Sequence, residues 1–264
     1  MLEQVGSQVL SLFVLTAIFV PLEKLFSVKK QAILRPGLWL DLALFFLSVV
    51  VITFFMAPPI GLVAVAARHV IPQGWYELVA RLPILVQFVG ALFVGEIGFY
   101  WSHRAMHASP FLWQFHALHH DPERMDWLVN TRMHPVDLVL SRIVGLALVA
   151  IVGFGAPGGD VDPLIPTLLL LFGKLWAFYI HSNINWRMGW IEHIVSTPRF
   201  HHWHHSRDDH PHRNFASMLP IFDRLFGTLH MPRDSAWPPT YGIAAEDEPG
   251  EQARSSRDDR AKIA

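Results

Sequence analysis

The chain has 264 residues and a formal net charge of −1, with 21 Lys and Arg against 22 Asp and Glu, and 52% of it is apolar. That balance implies no overall electrostatic pull toward nucleic acid, and soluble domains rarely reach a mean hydropathy of +0.31. Cysteine is absent, which excludes disulfides, thiolate-ligated haem, cysteine-held iron–sulfur clusters and a cysteine nucleophile; any metal must be held by nitrogen and oxygen.

A helix crosses hydrocarbon in about 20 residues, and five apolar blocks approach that length: residues 9–26, 38–57, 82–101, 138–154 and 164–180. We therefore expect an all-α integral membrane protein with about five membrane helices, within a range of four to six. No lysine or arginine precedes Lys24, so the first block reads as a membrane helix rather than a cleaved signal peptide. Lys24, Lys29, Lys30 and Arg35 then give the first loop the positive excess of a cytoplasmic one. The stretch 58–81, with Arg68, His69, Pro72 and Trp75, is apolar but interrupted. It is expected to be re-entrant or interfacial, a sixth span being the alternative. The loop 155–163 has no basic residue and fits the outside. Threading five spans on these anchors puts the amino terminus outside and the carboxyl terminus in the cytoplasm. Trp101, Trp113, Trp176, Trp186 and Trp190 flank the exits from lipid, as interfacial anchors do. From 238 to 264 the sequence is polar and is expected to be a disordered tail.

Three histidine clusters interrupt this pattern: HRAMH at 103–107, HALHH at 116–120 and HHWHH at 201–205. Their i, i+3, i+4 spacings let each set project imidazoles from one helical face. By the threading above, all three emerge on the cytoplasmic side. Neutral imidazole suits iron, zinc, copper and nickel alike. A catalytic zinc needs about three protein ligands and a structural zinc about four, whereas His103, His107, His116, His119, His120, His201, His204 and His205 offer more, so two metals are the natural number. His202 falls off the face of its neighbours and is expected behind the ligands or at the surface. His181 ends an apolar block, where an imidazole should face the bundle interior; the alternative is an interfacial histidine bonded to a carbonyl. His69, His193, His210, His212 and His230 lack cluster spacing, and ordinary packing or surface roles are expected for them.

Metal-bound imidazoles usually donate their second N–H to a carboxylate or carbonyl. Glu96, Asp121, Asp137, Glu192, Asp208 and Asp209 are the acids near enough in sequence to serve, and Glu96, inside an apolar span, wants a partner. Arg104, Arg132 and Arg199 are expected to pair with such acids, the alternatives being a lipid headgroup or an acidic electron carrier. The Glu-x-x-His pattern of soluble di-iron bundles is missing, as is HExxH, and no nicotinamide or flavin fingerprint such as GxGxxG after a strand is present.

The order HxxxH, HxxHH, HxxHH, with HPVD at 134–137, HSN at 181–183, TPRFHHWHH at 197–205 and NFASMLPIFDRLFGT at 214–228, resembles the membrane-bound fatty acid hydroxylase and sterol desaturase superfamily. The resemblance covers roughly 95–228. It implies membrane helices over 1–94, then a histidine-box domain over 95–230 that includes a membrane hairpin at 138–180. It also implies two iron ions held by the eight cluster histidines and His181, with no catalytic group beyond the ligands. His134, His202, Glu96 and Asp121 are carried as further ligands or as residues behind them. O2 would be the co-substrate, zinc a metal able to substitute, a membrane lipid the substrate and a separate electron-transfer protein the donor. A zinc-dependent hydrolase using the same histidines, or a non-catalytic metal-binding membrane protein, stands as the alternative. The motifs do not choose the lipid, hydroxylation against desaturation, or the oligomeric state.

Overall fold

The structure is a computed structural model that describes residues 2–154, 164–207, 212–232, 234 and 236–244. The loop 155–163, Asp208, Asp209, His210 and the tail from 245 onward lie outside the described residues. Regular structure within them is helical, with two isolated bridges, Ser27 to Ile184 and Ser206 to Tyr241.

The helices are α1 (Leu2–Leu25), α2 (Leu38–Val51), α3 (Ala57–Val70), α4 (Gln73–Ala80), α5 (Ile84–Ala108), α6 (Pro110–His120), α7 (Pro135–Val152), α8 (Leu164–His181), α9 (Pro198–His204) and α10 (Ile221–Leu225). Among the described residues, four stretches are long and apolar enough to cross a membrane: Val5–Leu25, Leu38–Val70, Ile84–Ala108 and Pro135–Val152; the apolar part of α8, Thr167–His181, is shorter. Phe13, Leu62, Leu85 and Leu170 are each at least 70% exposed. Such a surface is at home against acyl chains and not in water. The protein is an all-α integral membrane protein.

The stretch after residue 57 departs from expectation. Instead of an interfacial segment, α3 continues α2 through one wide turn, Ile52–Met56, in which the Ala57 N–H reaches back to the Ile52 carbonyl. Pro58 and Pro59 follow at the start of α3; having no N–H, they donate nothing to the preceding turn, where the α ladder is already broken. α4 then closes the far end of α7: Trp75 Nε1 donates to Val152 O at 2.8 Å and Tyr76 hydroxyl to Ile151 O at 3.3 Å, satisfying carbonyls that a helix end leaves orphaned.

α5 and α7 cross at glycine. A Cβ on Gly98 would stand 2.5 Å from both Cα and N of Gly145, and Ser102 Oγ donates to Ser141 O at 2.9 Å. Small residues let two membrane helices approach to backbone contact, where packing replaces the absent hydrophobic drive. At the other end of the bundle Asp41, fully buried in the first turn of α2, takes Arg35 Nη1 at 2.7 Å and Arg132 Nε at 2.5 Å. Arg35 also forks onto Asp126, whose Oδ1 caps the short 3-10 turn Trp127–Thr131. Phe19, Phe45, Trp127 and Phe178 pack beside this network, which fixes α1, α2 and α8 around the histidine end. Residues 238–244, assigned above to a disordered tail, pack against the body: Lys29 Nζ donates to the carbonyls of Pro238 and Pro239, and Tyr241 is buried.

Candidate metal centre

Two helices that place histidines, α6 and α9, and α7, which places Asp137 against His116, begin in one way, with a capping side chain followed by proline. Ser109 accepts from Leu112 N ahead of Pro110, His134 from Val136 N ahead of Pro135, and Thr197 from Phe200 N ahead of Pro198. A cap satisfies an orphan N–H and proline presets the first helical φ, so α6, α7 and α9 start at defined residues. α5 and α8 instead bring His103, His107 and His181 to the same end near the C-termini of long helices.

Nine imidazoles converge there in two groups, within each of which the candidate ligand atoms lie no more than 4.8 Å apart. The first holds His103, His107, His116, His120 and His204; the second holds His119, His181, His201 and His205; every ring is buried. Each HxxHH box divides between the groups. In α6 the i, i+4 pair His116 and His120 joins the first and His119 the second. At α9 the i, i+4 pair His201 and His205 joins the second and His204 the first. The clusters therefore do not each build one site from one face; two boxes cross-brace two sites.

The ring nitrogens have divided roles. Nδ1 of His103 bonds Phe215 O at 2.7 Å, that of His119 bonds Arg132 O at 3.1 Å, that of His181 bonds Ala177 O at 2.7 Å and that of His204 bonds Arg213 O at 2.8 Å. His116 Nδ1 bonds Asp137 Oδ2 at 3.0 Å. A carbonyl can only accept, so the proton sits on Nδ1 in these rings and a neutral ring then has a bare Nε2. Yet Nε2 of His103 faces Nε2 of His116 at 3.1 Å, and Nε2 of His181 faces Nε2 of His119 at 3.2 Å. Two lone pairs at that distance repel unless a cation lies between them. Buried Nε2 atoms of His107 and His204 also have no protein partner. Burial first, and neighbouring imidazoles second, hold His119, His120, His201 and His205 well below the usual histidine range, and burial pushes His204 down to about 3. Protons are thus poor occupants of this space, whereas a metal–nitrogen bond of about 2.1 Å bridges such facing pairs. The residues present fit two metal ions.

The other sequence candidates lie elsewhere. His134 is the α7 cap, its ring against Phe115, and is in neither group. His202 is completely buried rather than at the surface; it faces away, with Nδ1 on the Tyr241 hydroxyl at 2.8 Å and Nε2 on Ser182 O at 3.1 Å. Glu96 holds no histidine: its Oε1 accepts from Met218 N at 2.8 Å and Leu219 N at 3.2 Å. Asp223 accepts from Phe215 N and Ala216 N in the same segment, so two buried acids hold the strand of backbone whose Phe215 carbonyl orients His103. Asn214 opens that strand at φ 56, a left-handed conformation asparagine tolerates. Asp121 pairs with Arg132 at 3.1 Å and Glu192 with Arg199, while Arg104 donates to the Tyr100 hydroxyl. Of the acids named from sequence, Asp137 alone among the described residues bonds a converging histidine. His212 is an addition: its Nδ1 lies 3.2 Å from His107 Nδ1. No spacing signals it, because a loop delivers it.

A cavity of about 480 Å³ opens beside the histidines. His103, His116, His119, His181 and His201 line it, together with residues of α2, the Ile52–Met56 turn, α5, α7 and α8 such as Phe45, Met56, Leu92, Leu146 and Phe178. A largely apolar chamber bordered by a cluster of imidazoles suits an acyl or similar chain.

A family model described as fatty acid hydroxylase matches residues 88–228, more than half of the chain. The chain is 36% identical over 169 residues to ornithine lipid hydroxylase OlsE of Rhizobium tropici, covering 62% of this chain and 46% of that protein. To alkylglycerol monooxygenase of Homo sapiens it is 28% identical over 149 residues, 56% of this chain and 31% of the relative. To methylsterol monooxygenase 2-2 of Arabidopsis thaliana it is 24% identical over 154 residues, 58% and 54% respectively. The matches thus span about half or less of these relatives' lengths. No solved structure matches the chain. Because the family match takes in all nine converging histidines and both acids that clamp the Phe215 strand, the chain belongs to the fatty acid hydroxylase family.

Proposed function

We propose that this protein is an O2-dependent, di-iron lipid hydroxylase. The observation that carries the proposal is the facing of unprotonated Nε2 atoms in two buried groups, which calls for two cations. His103, His107, His116, His120 and His204 would hold one iron, and His119, His181, His201 and His205 the other. Iron is preferred to zinc because the five nitrogens of the first group exceed the four positions of a typical zinc site, and because the relatives are named hydroxylase and monooxygenases. Bound there, the iron pair would supply the redox chemistry that reduces O2 and oxidises a C–H bond.

The protein's own residues do the rest. Carbonyls of Phe215, Arg132, Ala177 and Arg213, with the Asp137 carboxylate, keep the protons on Nδ1 and aim Nε2 inward. The cavity seats the substrate chain against the histidines that line it and excludes water. Overall, one oxygen atom of O2 enters the C–H bond as hydroxyl and the other leaves as water, using two electrons and two protons from a separate carrier. The loop bearing Lys29 and Lys30 packs beside Asn183, just past His181, which puts its positive charge at the histidine end and favours the cytoplasmic side for the centre.

Metal analysis and O2 uptake on purified protein test the function. About two iron per chain and lipid-dependent O2 consumption after anaerobic reloading with ferrous iron are expected. One redox-silent zinc, with no O2 uptake after reloading, would overturn it in favour of a hydrolase.

A further inference from the structure

Besides the five histidines and Glu96, whose Oε1 is taken up by backbone N–H groups, two cations line this largely apolar cavity, Arg142 of α7 and Lys174 of α8. An ionisable side chain within a membrane helix is costly and normally has a partner or a ligand. Lys174 has a close partner, since Nζ donates to Ser11 Oγ at 2.6 Å. Arg142 is held more loosely: Nη1 alone is engaged, by the Met133 thioether at 3.5 Å and the Leu138 carbonyl at 3.4 Å. Neither acceptor is charged. Among the described residues no carboxylate lies within ion-pair distance of it. The nearest acid along its helix, Asp137, bonds His116 through Oδ2 and acts on Arg142 only from beyond ion-pair distance.

The contact with Leu138 shows the side chain turned back one turn toward the histidine end of α7. It shares the cavity wall with His119, His181 and His201. A guanidinium keeps its charge and presents its donors as a rigid planar fork matched to the paired oxygens of a carboxylate or phosphate. Here Nε and Nη2, one edge of that fork, have no protein acceptor among the described residues. Lys174 stands seven residues before His181, about 10 Å away along the helix, and offers a point charge already bonded to a hydroxyl.

We propose that Arg142 binds the anionic oxygen group, carboxylate or phosphate, of the lipid occupying this cavity, so that the substrate is an acidic amphiphile. The proposal rests on the reading of the cavity as the substrate site, but not on the identity of the metal.

Equilibrium binding to detergent-solubilised protein, with metal stripped or loaded, tests it with three radiolabelled probes of one chain length: oleate, oleoyl lysophosphatidate and oleyl alcohol. Wild type should bind at least one acid about tenfold or more tightly over the alcohol, the scale of one charge-assisted contact. The tighter acid then identifies carboxylate or phosphate. Arg142→Gln should erase the preference while leaving the alcohol's affinity unchanged, Arg142→Lys should keep part of it, and Lys174→Met should keep all of it. Equal binding of the three probes by wild type overturns the proposal, as does a preference that survives Arg142→Gln or is lost only in Lys174→Met. Should Arg142→Gln fail to elute as a folded species, Arg142→Lys decides, since undiminished preference there rules out a role for the guanidinium fork. Binding needs no turnover, so an acid-selective cavity in a protein that consumes no O2 would sink the hydroxylase reading alone.

Discussion

His116 Nδ1 and Asp137 Oδ2 lie 3.0 Å apart with both side chains buried, joining the end of α6 to the first turn of α7. The other Asp137 oxygen, Oδ1, has no partner, so the carboxylate is committed to this ring. A carboxylate behind a ligating imidazole raises the ring's basicity and locks its tautomer. Asp137→Asn keeps the shape and removes the charge; metal affinity should fall by about 10–100-fold with the fold intact. Chelator competition measures this, and unchanged affinity would remove Asp137 from the centre's chemistry.

His119→Ala and His204→Ala strike different groups. Each variant should lose turnover, yet keep about one of two irons, because the untouched group retains its full set of rings. Metal stoichiometry on membrane-inserted protein checks the division. Loss of both ions from each variant would show a single coupled site instead.

Acid should destabilise the metal-free protein through its neutral histidines. Burial lowers His202 and His204, both beyond the membrane helices, to about 3 from an ordinary value of 6.5. Between these values the unfolded chain binds more protons than the folded one, so stability is full above about pH 6.5 and is lost as pH falls toward about 3. Thermal midpoints of metal-free protein in detergent should be level between about pH 8 and 7 and drop by about pH 5. A midpoint unchanged at the lower pH would contradict the buried neutral rings.

Asp41 pairs with both Arg35 and Arg132. Truncating one partner of a buried pair costs about 3–5 kcal/mol, since the charges left behind stay out of water. The carbonyl of Arg132 also orients His119. Asp41→Ala should therefore lower the unfolding midpoint and reduce metal content in the second group, whereas a stability loss with full metal occupancy would separate the network from the centre.

At Gly98 an added Cβ meets backbone, not a side-chain tip that could swing away. Gly98→Ala should force α5 from α7 and cost about 1–3 kcal/mol, the range for overpacking. Gly61→Ala, with nothing near its Cβ, serves as the control in the same thermal-shift measurement. Equal stability of the two variants would show that the crossing can widen by a methyl group.

Spans and histidine spacings were legible in the chain because both are local: a run of apolar side chains specifies a membrane helix, and the helical period aligns residues four apart. His181 was legible too, as an imidazole at the end of an apolar block. Tertiary structure alone decided how each HxxHH box divides, since a residue three positions on points to a different neighbour only once α5, α6, α8 and α9 cross. It also decided that Glu96 clamps the Phe215 strand and His134 caps a helix, although the proline after His134 was a readable sign of the latter. Most partners of the ring Nδ1 atoms are backbone carbonyls. Every residue carries such a group, so no letter of the sequence marks the ones that packing brings to a histidine.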